Sequence, residues 1–191
     1  MPTTMSSYDQ SVLEAFRSAW DRLCILARTV PVRHVNESVF RFLFIESFLG
    51  QNRRLECDDE WKRLDLLVRG LGHQAAVEFK FYDSKPLRHV DGRVTWKGGP
   101  GERNLGEFLK AVEDLRTLET RPWYAQTGAR IDERYVVLVA VDRPERGARG
   151  LYSTWYLKPK VHGSLDILCV LEGKLPLDDL PVFGWVGKIV D

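Results

Sequence analysis

Residues 63–81 read RLDLLVRGLGHQAAVEFKF, and this stretch predicts a tight β-hairpin around which the rest of the fold is arranged. Apolar residues recur on both sides of a glycine-rich turn, as expected for two antiparallel strands. Gly72 suits the positive φ of a type II turn centred between Leu71 and Gly72. A turn at that position pairs Asp65 directly with Glu78.

The paired positions Asp65 and Glu78 carry like charges. Opposed residues in an antiparallel pair have Cβ atoms about 4.5–5.5 Å apart, and like charges there destabilise the pair. A hard divalent cation such as Mg²⁺ removes this repulsion, because Mg²⁺ favours one or two carboxylates together with water and phosphate oxygens. We therefore predict a metal site on this face of the hairpin.

The same hairpin face carries two basic residues. Period-2 alternation places Lys80 beside Glu78 and Arg63 beside Asp65, while the residues between them point to the opposite, apolar face. A lysine next to a metal-bound water is able to orient that water or to stabilise charge developing on a phosphate. The alternative interpretation is a solvated strand face with an ordinary Lys–Glu pair.

A second helix is predicted before the hairpin, over about residues 36–48, with Gly50 ending it. At about 100° per residue, Glu46 falls between Phe42 and Leu43, inside the apolar face of this helix. A buried carboxylate needs a cation, a metal-bound water or strong donors, so Glu46 is a further candidate for the metal site. The alternative is a salt bridge with one of three arginines, Arg41, Arg53 or Arg54.

The other predicted elements surround these two. Ser7 and Gln10 resemble a capping box that begins a first amphipathic helix, and Trp185 is expected to lie over the core as a lid or to bind a partner. The remaining elements are strands at 53–57, 62–69 and 74–82, a helix from Asn104 to Glu119, and strands at 135–141, 153–157 and 165–171. This order predicts an α/β fold with a mixed sheet.

The run at residues 63–67 followed by the run at 77–80 resembles the signature of the PD-(D/E)XK nuclease superfamily. The second helix, the third helix and the apolar strand after it extend the resemblance over roughly residues 36–142. It implies a restriction-endonuclease-like fold with an α-β-β-β-α-β core, a central mixed sheet flanked by helices, and added C-terminal strands. We therefore expect one domain over residues 1–191, with its core at about 36–142 and a C-terminal extension at 143–191.

The resemblance also implies an activity, the metal-dependent hydrolysis of phosphodiester bonds in DNA. Asp65 and Glu78 would then bind Mg²⁺, or Mn²⁺ as a substitute, together with the main-chain carbonyl of Phe79. Lys80 would assist the attacking water. Glu46 would approach the metal directly or through water.

Residues 83–103 are rich in glycine and basic side chains and lack a periodic apolar pattern. Because this segment begins shortly after Lys80, we expect it beside the candidate site. We predict a mobile clamp on the nucleic-acid backbone with Trp96 stacking on a base, and the alternative is a long solvated loop. The predicted nucleic-acid-binding residues are Arg63, Lys85, Arg88, Arg93, Trp96, Lys97 and Arg103.

The bulk composition sets broad limits on function. A formal net charge of +1 does not describe a strongly basic protein that coats nucleic acid. Three scattered cysteines without a CxxC pair argue against a structural zinc site and favour a reducing compartment. The polar start predicts no signal peptide and no apolar run reaches transmembrane length, so we expect a cytoplasmic protein without membrane contact.

Two other functions stand beside the nuclease hypothesis. One is a catalytically silent module on the same fold that binds nucleic acid or protein. The other is an unrelated α/β protein with a chance motif, because D-x(12)-E-x-K is short and Leu64 stands where the family signature has proline. The nuclease hypothesis is compatible with a homodimer acting on duplex DNA.

Overall fold

The computed structural model describes residues 5–51, 55–60, 64–70, 72–126, 130–157 and 165–190. The helices are α1 (Ser7–Leu26), α2 (Glu37–Gln51), α3 (Glu102–Arg116), α4 (Pro122–Ala125) and α5 (Ser153–Tyr156), with 3-10 turns at Val32–His34, Leu118–Thr120 and Pro144–Gly150. The strands are β1 (Glu56–Asp59), β2 (Leu66–Gly70), β3 (His73–Tyr82), β4 (Lys85–Arg88), β5 (Val94–Lys97), β6 (Glu133–Val141), β7 (Leu165–Leu175) and β8 (Leu180–Ile189). The predicted mixed α/β class is confirmed.

Six strands form one mixed sheet in the order β1-β2-β3-β6-β8-β7, and β4 pairs with β5 in a separate hairpin. Strands β3 and β6 are parallel, while the other neighbouring pairs are antiparallel. A crossover through α3 connects the two parallel strands, as a parallel pair requires. Residues 143–191 contribute β7 and β8 to the same sheet, so this part of the chain completes the central sheet of the fold.

Apolar side chains cover both faces of the sheet. Helices α1 and α2 pack on one face, where Val77 and Phe79 of β3 join their cluster. Helix α3 packs on the other face, where Ala76 joins Phe108. Because side chains alternate along a strand, Glu78 and Lys80 project toward the face that α3 covers.

The first helix begins one residue earlier than the capping motif predicts. Ser6 Oγ accepts a hydrogen bond from Asp9 N at 3.0 Å, and Ser6 N donates to Asp9 Oδ2 at 2.8 Å. Asp9 also accepts from Tyr135 Oη at 2.7 Å and from Lys188 Nζ at 2.8 Å. These tertiary contacts select Asp9, and not Gln10, as the acidic partner of the cap.

The boundaries of the next two helices also differ from those predicted. Helix α2 continues through Gly50 to Gln51, because nothing requires a positive φ at Gly50. Helix α3 begins at Glu102 and not at Asn104, whose side chain donates to Gly99 O at 2.6 Å. Both differences concern helix ends, where local signals compete with tertiary contacts.

Two predictions for the C-terminal part are wrong. Residues 153–156 form the short helix α5 and not a strand, since Tyr152 and Tyr156 lie one helical turn apart and both stack on Tyr82, at 5.5 and 4.8 Å between ring centroids. Strand β8 was not predicted, because its glycines suggest turns. A Cβ at Gly184 would lie 2.9 Å from Cζ3 of Trp20, so this glycine admits the Trp20 ring from α1.

Trp185 lies inside the fold and not over it as a lid. It belongs to β8, is fully buried, and meets Phe108 of α3 edge-on with 5.7 Å between ring centroids. A fully buried ring is not accessible to a partner, so the partner-binding alternative is also wrong. Among the helices in the described ranges, none has the length and apolar character needed to cross a bilayer.

Candidate active site

The candidate site forms where β2 separates from β3. The hairpin register agrees with the prediction, because Leu66 pairs with Val77 and Gly70 pairs with His73. Strand β2 begins at Leu66, and the chain before it bends, with Glu60 N donating to Asp65 O at 2.8 Å. The second half of β3 therefore has an edge that β2 does not cover.

Two carboxylates bind this edge in place of strand backbone. Asp65 Oδ2 accepts a hydrogen bond from Phe79 N at 2.7 Å. Glu37 Oε2, from the first turn of α2, accepts from Phe81 N at 3.3 Å. Because the N–H and C=O of one strand residue point to the same side, the carbonyl of Phe79 is directed toward the edge that Asp65 occupies.

The structure brings Asp65, Glu78 and Lys80 together. Lys80 Nζ lies 2.6 Å from Glu78 Oε1 and 3.9 Å from Asp65 Oδ2. The three side chains are only partly accessible to solvent, so their charges are incompletely screened by water. This grouping follows from the hairpin register together with the alternation along β3.

Arg41 of α2 holds Asp65 in place. Its side chain is only 8% exposed, and its guanidinium lies 2.9 Å from Asp59, 2.9 Å from Glu60 and 3.2 Å from Asp65 Oδ1. With Phe79 N on the other carboxylate oxygen, both oxygens of Asp65 have donors. The position of Asp65 is therefore fixed by helix, loop and strand together.

Burial changes the protonation of this cluster. Burial raises the pKa of Glu78 to about 7, with the charge of Asp65 adding to the increase and the charge of Lys80 opposing it. Burial also raises the pKa of Glu37, again against the effect of Lys80. Burial alone would lower the pKa of Lys80, but the charge of Glu78 and its hydrogen bond outweigh burial and raise it. Lys80 is thus a stable ammonium beside a carboxylate that is only partly ionised at neutral pH.

Glu46 does not belong to this site, which corrects the sequence prediction. Its side chain is 51% exposed and pairs with Arg22 of α1 at 2.5 Å. The neighbouring Phe42 is 62% exposed, so the apolar stripe of α2 extends beyond the face that packs on the sheet. The surplus of apolar residues moved the predicted inner face toward Glu46, whereas Arg41 occupies the inner face. Glu46 forms an ordinary salt bridge, with a partner that was not among the three predicted.

The sequence interpretation missed Glu37 and the true role of Arg41. The two residues are four apart on α2 and therefore share one face of the helix. A charged pair at this spacing, next to the buried Phe40 and Phe44, was the available signal. Sequence could not show which strand this face meets, because that depends on how α2 packs on β3.

The segment at residues 83–103 contains the antiparallel β4–β5 hairpin and is not the irregular loop that was predicted. Most of its predicted nucleic-acid-binding residues are exposed. Lys85 donates to Arg33 O at 3.3 Å, Arg93 pairs with Asp91 at 2.5 Å, and Arg103 lies in the first turn of α3 beside Glu107 at 3.1 Å. Arg88 and Lys97 are exposed at strand ends, and Arg63 lies outside the described residues.

Trp96 is not a free stacking surface. The guanidinium of Arg146 lies 4.8 Å from the centre of its ring, so one ring face is already covered. Arg146 also donates to Gly98 O at 3.2 Å, and Asn104 donates to Gly99 O at 2.6 Å. These bonds attach the glycine segment to neighbouring elements, which does not favour the predicted mobile hinge.

A groove of about 530 Å³ opens from Glu78 and Lys80 toward α3 and α4. We call it the α3 groove. Its far wall includes Lys110 and Asp114 of α3 together with Arg121 and Trp123. Sequence analysis did not include these residues, because a lysine on the outer side of an amphipathic helix is usually a solvated residue.

The donor set fits a hard divalent cation. Asp65, Glu78 and the carbonyl of Phe79 supply oxygen only, which Mg²⁺ prefers, and the raised pKa of Glu78 marks a carboxylate that lacks sufficient positive charge nearby. The described residues contain no group of three or more His, Cys, Asp or Glu side chains with metal-binding geometry. Binding through both carboxylates requires Lys80 to move from its 2.6 Å contact with Glu78.

The chain was compared with family models, curated proteins and solved structures. None of the three comparisons finds a match. The function of the site is therefore argued from its residues and their geometry.

Proposed function

We propose that this protein is a Mg²⁺-dependent nuclease that hydrolyses phosphodiester bonds in DNA. The observation that carries the proposal is the convergence of Asp65, Glu78 and Lys80 where β2 leaves β3. A structural ion pair needs only one carboxylate for one ammonium. Here a second carboxylate adds a charge that raises the pKa of its neighbour, which is the kind of perturbation common at functional sites.

The element order supports membership of the PD-(D/E)XK superfamily and a restriction-endonuclease-like topology as part of the proposal. Helix α2, strands β1 to β3, helix α3 and strand β6 follow one another as α-β-β-β-α-β, with the β4–β5 hairpin inserted before α3. In this assignment Glu37 takes the place given to Glu46 as the glutamate of the preceding helix.

Asp65, Glu78 and the Phe79 carbonyl would hold Mg²⁺, with Mn²⁺ as a substitute. When bound, the cation supplies positive charge to the phosphate and lowers the pKa of a coordinated water. Arg41 keeps Asp65 oriented through the 3.2 Å contact to Oδ1. Lys80 directs its ammonium to the scissile phosphate and stabilises the charge that develops during in-line displacement.

The β4–β5 hairpin is proposed to contact the DNA backbone. It begins three residues after β3 ends, and it presents exposed Arg88, Arg93 and Lys97. Their charges would attract phosphates without reading sequence. The three cysteines described are unpaired, which suits the cytoplasm as the proposed location, and a homodimer would place two such sites on one duplex.

The test of the proposal is cleavage of supercoiled plasmid and of labelled single strands in Mg²⁺, Mn²⁺ or EDTA. We expect cleavage with either metal and none in EDTA. Asp65→Asn is expected to bind Mn²⁺ at least about tenfold more weakly in calorimetry, because a ligand charge is removed while the hydrogen bond from Phe79 N is retained.

Two results would count against this reading. Cleavage that persists in EDTA would exclude a metal-dependent mechanism. Metal-independent binding of DNA without any cleavage would favour the catalytically silent module, for which the 2.6 Å Lys80–Glu78 ion pair would be a purely structural contact.

Glu37 and Glu46 allow a matched comparison on one helix. Glu37→Gln is expected to lower the cleavage rate about 10- to 100-fold, because the carboxylate that contacts Phe81 N adds negative charge to the site. Glu46→Gln loses only the exposed bridge to Arg22 and is expected to cleave like the wild type. Single-turnover rates at saturating protein measure both, and the reverse ranking would restore Glu46 to the site.

A further inference from the structure

The α3 groove has a charge pattern unlike that of a surface for duplex DNA. Its wall holds as many acidic as basic side chains: Glu78, Glu107 and Asp114 against Lys80, Lys110 and Arg121. Arg121 is hydrogen-bonded to Asp114 and lies 3.3 Å from Thr117 Oγ1, so its charge is partly neutralised. A duplex backbone needs a continuous basic track, which this wall does not provide.

One cation in the groove is placed for a single phosphate. Lys110 is exposed on α3 and lines the same groove as Lys80 and Glu78. A phosphate between Lys80 and Lys110 would lie beside the two carboxylates proposed to hold the metal. The groove thus offers positions for one phosphate next to the reactive site.

The groove also has an aromatic and apolar wall. Trp123 is half-buried and lines the groove together with Pro122 and Leu118. The ring of Tyr124 meets the Trp123 indole edge-on at 6.2 Å, which supports its orientation. An indole beside a phosphate position is the arrangement with which proteins bind unstacked bases.

We infer that the α3 groove binds one unpaired nucleotide of a single-stranded nucleic acid, with its base against Trp123 and its phosphate between Lys80 and Lys110. The volume of about 530 Å³ is within the range of roughly 300–1,000 Å³ usual for small-ligand pockets. A paired base inside a duplex is stacked on its neighbours and cannot lie against the indole without being extruded. The inference rests on the proposed function, because the groove opens on Glu78 and Lys80.

The proposed site predicts a preference for unpaired strands and for duplexes with unpaired ends. It covers DNA and RNA alike, since every base offers a π-face and no groove residue has been assigned to the sugar. Titrating DNA and RNA oligomers side by side separates these two sources of the same ligand chemistry.

The test is fluorescence anisotropy of the full chain in Ca²⁺ and in EDTA, so that binding is measured without cleavage. The probes are labelled oligothymidylate of about eight nucleotides, an abasic oligomer of equal phosphate count and a blunt hairpin duplex. We expect the oligothymidylate to bind most tightly. Trp123→Ala should weaken it about 10- to 100-fold, while Trp123→Phe should recover most of the affinity.

Charge variants separate the phosphate contact from stacking. Lys110→Gln should weaken all single strands and reduce the slope of log affinity against log salt by about 0.7, the value for one phosphate on a single strand. Lys174→Gln, an exposed residue of the distant edge strand β7, is the matched control and should leave both unchanged. Lys110 is exposed, so its variant tests the groove even if Trp123→Ala fails to fold.

Equal affinity for duplex and single strand, or equal affinity for the abasic and thymidylate oligomers, would overturn the inference. If Trp123→Ala and Lys110→Gln bind like the wild type while metal-dependent cleavage persists, the groove assignment fails and the proposed nuclease stands. If Trp123-dependent binding is found but no metal supports cleavage, the groove assignment stands and the proposed catalysis fails.

Discussion

Lys80→Ala is expected to reduce the cleavage rate about 100- to 1,000-fold, the usual effect of removing one preorganised donor from a developing anionic charge. The ammonium is 2.6 Å from Glu78 and 3.9 Å from Asp65, so it lies between the proposed metal ligands and the phosphate. Its raised pKa keeps it protonated through the neutral range. Single-turnover cleavage at saturating protein isolates the chemical step from DNA binding.

Lys174→Ala is the control for loss of a lysine. Lys174 is 58% exposed, pairs with Asp179, and lies on β7 at the opposite edge of the sheet from the site. Circular dichroism checks that both variants fold. A Lys80→Ala rate within about tenfold of the wild type, in a folded protein, would contradict the assigned role.

Glu78 is expected to make the fold less stable as the pH rises. Its pKa is about 7 in the folded protein against 4.5 for an ordinary glutamate, so between these values the folded state holds a proton that the unfolded state releases. The stabilising contribution is complete below about pH 4.5 and is lost as the pH rises through about 7. The full change amounts to roughly 3 kcal/mol of unfolding free energy, from about 1.4 kcal/mol for each unit of pKa difference.

Urea unfolding between pH 4 and 8.5, in EDTA, measures this contribution. Glu78→Gln should remove the pH dependence that belongs to Glu78, so the difference between the two curves reports that residue alone. Mg²⁺ added at pH 8 should stabilise the wild type, because a ligand that binds only the folded state shifts the equilibrium, and should stabilise Glu78→Gln less. Parallel curves for the two proteins would contradict the perturbed protonation of Glu78.

The central hairpin and the grouping on it could be predicted from sequence. The positive φ of Gly72 and the alternation along β3 are local properties, and register follows from them. Asp65, Glu78 and Lys80 were therefore assigned to one face without knowledge of the rest of the fold. The long apolar run of β6 likewise predicted a central strand, because a strand buried on both faces has few polar positions.

Contacts between distant segments decided the other features. Helix α2 has more apolar residues than one face can bury, so its periodicity could not select the side that meets β3, and Glu46 was chosen where Glu37 belongs. Strand β8 depends on Trp20 of α1 packing against Gly184. The α3 groove exists only because the crossover from β3 to β6 places α3 and α4 beside Glu78. Local alternation thus determined the catalytic strand pair, whereas packing between segments far apart in the chain determined which helix residues reach that pair.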